Sequence, residues 1–243
     1  MTGNSIGHFT EIEKEIFYKI IFSRRDVRRN FTRKKISDEV LLRILTAAHH
    51  APSVGYSQPW NFILIRDKAS RLNIKESFSK ERLKSIELLE KDNEKKKKYL
   101  SLKLEGILES DLNICVTYDR KRFGPFVIGR MTMKEAGIYS VCCAIQNLWL
   151  AARAENIGVG WVSIIDNRDL KRILKLPSTI KPVAYLCLGY VNKFEVLPDL
   201  QSQNWLKRLE LEKVINYELW EGSNRRLDEW GGFNQRLTGK KSS

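Results

Sequence analysis

The chain has 243 residues, of which 42% are hydrophobic and 30% are charged, and its formal net charge is +14. This length and composition indicate a globular chain with a sizeable core and exclude a disordered one. The positive charge favours an anionic partner, such as a phosphorylated ligand, a nucleic acid or an acidic membrane surface, although a basic solvated surface would give the same balance.

The predicted elements mix helices and strands without regular strand–helix–strand units. Helices follow from apolar residues at helical spacing, and strands from short buried apolar runs. In chain order we predict a helix over 11–22, a helix between Ser37 and Ala51, a strand over 60–65, a charged helical segment over 70–106, a strand over 112–117, a helix over 139–155, a strand over 159–165, a short helix over 168–174 and a strand over 183–191. The class is α+β, with helices around one sheet.

Two of these helices carry end signals. Ser37 is a suitable N-cap, and Asp38 and Glu39 follow in the first turn, where the helix macrodipole favours acidic residues. Gly158 is predicted to take the left-handed position after the helix over 139–155. That helix is apolar on nearly every side, so it must be covered by its own domain or by a second copy of the chain.

The charged helical segment is poor in core residues. This is typical of an insertion packed over a site, and equally of a plain surface hairpin. Residues 205–214 form a last ordered segment, after which the chain turns polar and basic and its end is expected to be disordered. We therefore predict one domain, an insertion within it and a basic tail, over residues 11–221, 70–108 and 222–243.

No metal or disulfide site emerges from the sequence. Cys115 and Cys187 lie inside apolar strands, which is typical of inert core residues, and no cysteine pair has C-x-x-C spacing. His49 and His50 lack partners at metal-ligand spacing. The N-terminus has no signal-peptide pattern, and the apolar run over 138–152 is too short to span a bilayer. We expect a cytoplasmic protein without metal or membrane partner.

The segment SRRDVRR, residues 23–29, places four arginines directly after a helix. Guanidinium groups bind phosphate through charge-assisted, often bidentate hydrogen bonds, although a solvated basic turn would have the same composition. Asp26 lies among these arginines, and their positive charge is expected to lower its pKa and keep it ionised. It could be an ion-pair partner or a positioned acid–base group.

Three other segments carry weaker signals. In the loop before the first strand, Gly55 permits close backbone approach, and Ser53 supplies polar contacts. Gly160 opens the backbone near Ser163, but a lone G-x-G is not a dinucleotide motif. Arg208 could reach a phosphate or could be a plain surface residue. No hydrolase, P-loop or zinc-protease motif occurs.

Taken together, these segments resemble the nitroreductase family. SRRDVRRNF is similar to its Arg-rich flavin-binding segment, APSVGYSQPWNF to its A-P-S-x-x-x-x-Q-P-W loop, and KRLELEKVI to its C-terminal R-x-P-L-E-x-x-V segment. Two departures stand out: Glu210 replaces the usual Pro, and Tyr56 and Ser57 stand where Phe and Met are common. The runs SLKLEGI and NLWLAARAENIGVGWVSI resemble the members of the family that consume their flavin. The resemblance covers roughly residues 15–220.

The resemblance implies a mixed or antiparallel central sheet flanked by helices, a helical lid, and a domain-swapped homodimer with two FMN sites at its interface. The residues it assigns to FMN are Arg24, Arg25, Asp26, Val27, Arg28, Pro52, Ser53, Gly55, Leu88, Leu102, Ser163 and Arg208. The arginines would hold the phosphate and the flavin edge, the loop would reach the flavin of the other subunit, and the two leucines would belong to the lid. Asp26 is the candidate for proton transfer near the ribityl C1′, and Ser163 for a hydrogen bond to the flavin ring or the reacting oxygen.

The implied reaction is the fragmentation of reduced FMN by O2 to 5,6-dimethylbenzimidazole, the lower ligand of vitamin B12, and erythrose 4-phosphate. A separate flavin reductase would supply the reduced FMN. The alternative is an ordinary NAD(P)H-dependent FMN nitroreductase or quinone reductase, against which Asp26 and a tight lid argue because they leave little room for nicotinamide. A flavin carrier without turnover is a further hypothesis. A nucleic-acid-binding module is the weakest, since no binding motif of that class occurs.

Overall fold

Seven α-helices and four strands make up residues 7–220, the part of the chain that the structure, a computed structural model, describes. They are α1 (Glu11–Ser23), α2 (Asp38–His49), β1 (Trp60–Ile65), α3 (Lys68–Glu87), α4 (Asn93–Ser101), β2 (Leu112–Asp119), α5 (Ala136–Ala154), β3 (Ile157–Trp161), α6 (Asn167–Ile173), β4 (Ile180–Tyr190) and α7 (Asp199–Ser202), with 3-10 turns at Val54–Tyr56 and Leu211–Val214. The chain divides into two units, one through Asp199 and one from Leu200 onward. The predicted basic tail lies outside the described residues.

The four strands form one antiparallel sheet in the order β1-β2-β4-β3. Central strand β2 is buried at seven consecutive positions, Leu112 to Tyr118; β1 and β4 flank it, and α5 packs against it. The register pairs Ile63 with Cys115 and Cys115 with Tyr185. The predicted α+β class is confirmed, and the sheet is antiparallel throughout.

The main core lies between the sheet and the helices α2 and α5. The buried stripe of α2 contains Ile44 and Ala48, and α5 contributes Ile145 and Leu148 against Leu186 of β4. Burial of such aliphatic side chains contributes about 2 kcal/mol each to folding. This packing fixes both ends of α5, and the candidate site is built around them.

Of the two predicted helix-end residues, the structure confirms one and contradicts the other. The Oγ of Ser37 accepts a hydrogen bond from the Val40 N–H at 3.4 Å, so the predicted cap is confirmed. The prediction for Gly158 is wrong, since Asn156 takes the left-handed position after α5 with φ of 58°. Asn tolerates this conformation, and Gly158 lies inside β3 instead.

The charged segment predicted over 70–106 is helical only in part: it consists of α3 and α4 joined by a short turn, and residues 102–106 after α4 are not helical. Its inner side is anchored by Ile74 and Phe78, which are fully buried. Ser77 and Tyr99 are also buried, and most other residues of the segment are polar or charged, although Leu72, Leu83, Leu88 and Leu100 are exposed. The second unit, described by itself, contains the 3-10 turn at Leu211–Val214 and a backbone hydrogen bond from the Trp205 N–H to the Leu200 carbonyl at 2.8 Å.

Candidate functional site

The Arg-rich segment runs alongside the edge strand β3 in an extended conformation. The Val27 N–H donates to the Val159 carbonyl at 2.9 Å, and Asp26 forms a parallel bridge with Val159. Gly160 makes this approach possible, because a Cβ there would overlap the carbonyl oxygen of Val27. Gly160 is therefore required by the close approach of the Arg-rich segment, whereas the sequence alone indicated only that it opens the backbone near Ser163.

The Asp26 carboxylate is fixed by donors on both oxygens. Its Oδ1 accepts from the Trp161 backbone N–H at 3.0 Å, and its Oδ2 accepts from Nη2 of Arg28 at 2.5 Å. Burial nevertheless raises the pKa of Asp26 above its ordinary value, and the charges of Arg28 and Arg24 and the Trp161 hydrogen bond offset this only in part. The expected lowering of this pKa is therefore wrong, because desolvation of the charged form outweighs the arginines.

Arg28 has unused hydrogen-bonding capacity at this site. Its side chain is only 12% exposed, and one guanidinium nitrogen, Nη2, is bonded to Asp26. Its Nε and Nη1 are buried and have no hydrogen-bond partner among residues 7–220. Buried donors of a cation without partners are costly, so they suit an anionic or carbonyl-bearing ligand that accepts from them.

Arg24 and Arg25 of the segment are oriented by neighbouring groups. The guanidinium of Arg24 lies 4.9 Å from the ring centroid of Trp149 in α5. Nη1 of Arg25 donates to the carbonyls of Phe22 and Arg24, each at 2.7 Å, and its Nη2 donates to the carbonyl of Val196. A pocket lies beside these residues and is lined by residues 25–30 together with Lys193, Glu195, Leu197 and Asp199. Positive charge is thus concentrated at one wall of a pocket.

The loop before β1 has a strained backbone held by several hydrogen bonds. Gly55, Tyr56 and Gln58 all have positive φ, at 53°, 53° and 35°. The Oγ of Ser53 accepts from the Gln58 N–H at 3.0 Å, and Pro52 is exposed. Such strain in non-glycine residues persists only where the surroundings enforce it, and it is common at ligand-binding loops.

Arg122 fastens this loop, although no sequence motif includes it. Its Nη1 donates to the carbonyls of Gln58 and Trp60, both at 2.8 Å, and its Nη2 donates to Oδ1 of Asn61 at 2.5 Å. On the other side, the Val54 N–H donates to Oγ of Ser140 at 3.0 Å, near the start of α5. Because Arg122 lies about sixty positions away in the chain, no local pattern could have revealed the contact.

The loop and the Arg-rich segment contact α5 at different positions. Ser140 binds the loop, whereas Trp149 binds the arginines, and nine residues of helix separate them by about 14 Å along the axis. Both segments are therefore positioned by the same helix, one near its start and the other near its end.

The remaining predicted site residues have separate environments. Ser163 is exposed and lies beyond the end of β3, so the predicted strand over 159–165 extends too far, because the ladder with β4 ends at Trp161. Leu88 is exposed at the end of α3, and Leu102 is buried at the end of α4. Arg208 is exposed and belongs to the second unit, so its contact with a phosphate stays a prediction.

Neither a cluster of metal-ligating side chains nor a bilayer-spanning helix occurs among residues 7–220. No three His, Cys, Asp or Glu side chains there converge as metal ligands. In the same part of the chain, no helix combines the length and hydropathy needed to cross a bilayer.

The comparisons with known proteins agree with this geometry. The model of the nitroreductase family matches residues 21–190. A 5,6-dimethylbenzimidazole synthase from Rhodospirillum rubrum is 40% identical over 185 residues, covering 76% of this chain and 86% of that protein. A protein of the same name from Rhodobacter capsulatus is 32% identical over 205 residues, covering 84% and 98%. Among solved structures, an iodotyrosine deiodinase bound to FMN and 3-iodo-L-tyrosine superposes with a TM-score of 0.66 at 20% identity, covering 84% of this chain and all of that one.

Proposed function

This chain belongs to the nitroreductase family, and we propose that it is a flavin-consuming enzyme that converts reduced FMN and O2 to 5,6-dimethylbenzimidazole. The observation that carries the proposal is the 40% identity with a 5,6-dimethylbenzimidazole synthase over three quarters of the chain. A second relative of the same name matches this chain over 98% of its own length. The Asp-containing Arg-rich segment supports it, since a carboxylate fixed among phosphate-binding groups suits proton transfer on a phosphorylated substrate.

The residues of the Arg-rich segment fit FMN. The unpaired Nε and Nη1 of Arg28 are suited to the flavin edge, while Arg24 and Arg25 supply positive charge for the phosphate. When bound, reduced FMN would supply both the electrons for O2 and the carbon skeleton of the two products, 5,6-dimethylbenzimidazole and erythrose 4-phosphate. The assignments of Val27 and Arg208 rest on the family resemblance.

We assign proton transfer near the ribityl C1′ to the Asp26 carboxylate. Its raised pKa makes it a stronger base than an ordinary aspartate, and the Arg28 and Trp161 donors fix its orientation. Ser163 follows Trp161 by two residues and is exposed, so its hydroxyl is free to rotate toward a ligand. We assign it a hydrogen bond to the flavin ring or the reacting oxygen.

We propose that two copies of the chain complete each site. The loop with Pro52, Ser53 and Gly55 is held near the start of α5, about 14 Å along the helix from Trp149, which supports its use on the flavin of the partner. The α3–α4 insertion would act as the lid that excludes water, with the exposed Leu88 available for contact. Leu102 is buried and would support the lid from within.

The proposal includes a cytoplasmic location and a separate flavin reductase as the source of reduced FMN. The experiment that tests it is aerobic incubation of the purified protein with chemically reduced FMN, followed by chromatography for 5,6-dimethylbenzimidazole. Product formed with loss of flavin is the expected result. Intact FMN, with turnover of NADH against a quinone or nitro compound, would instead identify an ordinary nitroreductase.

Asp26 is tested in the same assay. We expect Asp26→Asn to bind FMN with an affinity within about threefold of the parent, because the amide keeps the shape, and to form product at least about 100-fold more slowly, the usual size of an acid–base contribution. The matched control is Asp166→Asn, since Asp166 caps α6 and pairs with Arg168, and Asn also caps helices. Undiminished product from Asp26→Asn would remove this residue from the mechanism.

A further inference from the structure

The indole of Trp149 contacts two consecutive arginines of the Arg-rich segment. Its Nε1–H donates to the backbone carbonyl of Arg25 at 3.2 Å, and its ring lies 4.9 Å from the guanidinium carbon of Arg24. The Trp149 side chain is 8% exposed, so the packing around it restricts the orientation of the ring. The ring therefore orients the Arg24 guanidinium, and the indole N–H fixes the position of the Arg25 backbone.

Neighbouring residues extend this support over residues 23 to 26 of the segment. One helical turn after Trp149, Nε of Arg153 donates to the Ser23 carbonyl at 3.3 Å, and its guanidinium lies 4.0 Å from the Phe194 ring centroid. Trp161, whose ring centroid is 6.4 Å from that of Trp149, holds Asp26 through its backbone N–H. Residues 23 to 26 are thus each held by α5 or β3.

Trp149 has two separable functions in this arrangement. The aromatic face stabilises the Arg24 guanidinium in one orientation, and any large aromatic ring would retain part of this attraction. The indole N–H bonds the Arg25 carbonyl, and no other aromatic residue at this position would retain that bond unchanged. Separate variants can therefore remove one function or both.

We propose that Trp149 is a positioning residue that orients Arg24 and the Arg25 backbone for the phosphate of FMN. The inference rests on the proposed function, and Trp149 acts through the arginines without contacting the reacting atoms. A flexible, solvated arginine loses conformational freedom when it binds phosphate, whereas one already stacked on a ring loses less. Loss of the ring should therefore weaken binding of the phosphate and leave binding of the isoalloxazine ring unchanged.

The test compares FMN with riboflavin, which has the same ring and ribityl chain but no phosphate. Kd values are measured by titrating each flavin with the purified protein and following flavin fluorescence. We expect Trp149→Leu to raise the Kd of FMN about tenfold and to leave the Kd of riboflavin within about twofold. We expect Trp149→Phe, which keeps an aromatic face but lacks the N–H, to raise the Kd of FMN about threefold.

The matched control is Tyr190→Leu, which removes a cation–π contact with Lys34, 4.2 Å from Nζ to the ring centroid, outside the Arg-rich segment. Both flavins should bind this variant like the parent. Equal weakening of FMN and riboflavin in the Trp149 variants, or unchanged FMN binding, would overturn the positioning role. If Trp149→Leu does not fold, Trp149→Phe decides by the same comparison. A parent protein that binds no FMN would overturn the proposed function as well, so the two failures are distinguishable.

Discussion

Two glycines of β3 lie beside the same residue, Val27, and differ in what a side chain would meet. A Cβ on Gly160 would overlap the Val27 carbonyl oxygen, which is held in place by the backbone hydrogen bond between Val27 and Val159. A Cβ on Gly158 would lie 2.9 Å from Cγ1 of Val191 and 3.0 Å from Cγ1 of Val27. Side-chain methyl groups can shift by small torsional changes, whereas the paired backbone cannot.

At the residue scale we therefore expect Gly160→Ala to detach the Arg-rich segment from β3. The predicted cost is about 3 kcal/mol of unfolding free energy, the upper range for overpacking, and FMN binding should be lost with it. Gly158→Ala, the control in the same strand, should cost about 1 kcal/mol. Urea denaturation and FMN titration measure both effects. Equal stability of the two variants would contradict the close approach of Val27.

At the element scale, one buried carboxylate ties the segment that follows α4 to α3. Glu105, which is 3% exposed, accepts from Nζ of Lys75 in α3, from Nζ of Lys103 at 3.2 Å and from the Ile107 N–H at 2.8 Å. Burial acts to raise the pKa of Glu105, but the Lys75 hydrogen bond, the Ile107 N–H and the Lys103 charge together hold it below the ordinary 4.5. Lys103 also pairs with the more exposed Glu109 at 2.5 Å.

We expect Glu105→Gln to destabilise the protein by about 2 kcal/mol at pH 7, since it removes the charge that two lysines face. Because the folded pKa is lowered, this stabilisation is complete above the unfolded value near 4.5 and is lost as pH falls through the folded pKa. The difference between parent and variant should therefore shrink below about pH 4.5. Glu109→Gln is the control, with an expected cost under about 0.5 kcal/mol. A pH-independent difference in urea denaturation would exclude the ionic role of Glu105.

At the scale of the whole molecule, α1 presents an apolar surface to solvent. None of the residues of α1 is buried, although several of them have large apolar side chains. The large apolar side chains of α1 that are exposed by half or more are Ile12, Ile16, Phe17, Tyr18 and Phe22, and Phe9 just before the helix is exposed as well. An exposed apolar patch of this kind is typical of an interaction site, and the proposed homodimer would cover it.

We expect Ile16→Glu to convert a homodimer to a monomer, because a charge placed within a buried apolar interface costs several kcal/mol. Sedimentation velocity measures the change in mass. Leu72→Glu, on the exposed side of α3, is the control and should leave the dimer intact. FMN binding should fall together with the dimer if the loop around Gly55 serves the partner's flavin. A parent protein that sediments as a monomer would refute the two-chain site.

Local sequence patterns were sufficient to predict which stretches are helices or strands and to identify the Arg-rich segment. The period of the apolar residues identified α1, α2 and the four strands, and Ser37 was recognised as a cap, because hydrophobic spacing and capping act over a few neighbouring residues. The Arg-rich segment was recognisable for the same reason, since its charges are consecutive in the chain. The family resemblance then implied a mixed or antiparallel sheet and a bound flavin, and the sheet is antiparallel.

Only the tertiary structure decided the properties that depend on residues distant in the chain. The pKa of Asp26 rises instead of falling, because the burial of its carboxylate depends on β3 and not on the adjacent arginines. Trp149 meets Arg25 across 124 positions, and Arg122 meets Gln58 across 64. Desolvation and long-range hydrogen bonds arise when the chain packs, so local periodicity carries no record of them, whereas the helices, strands and charge of the segment were already determined by the sequence itself.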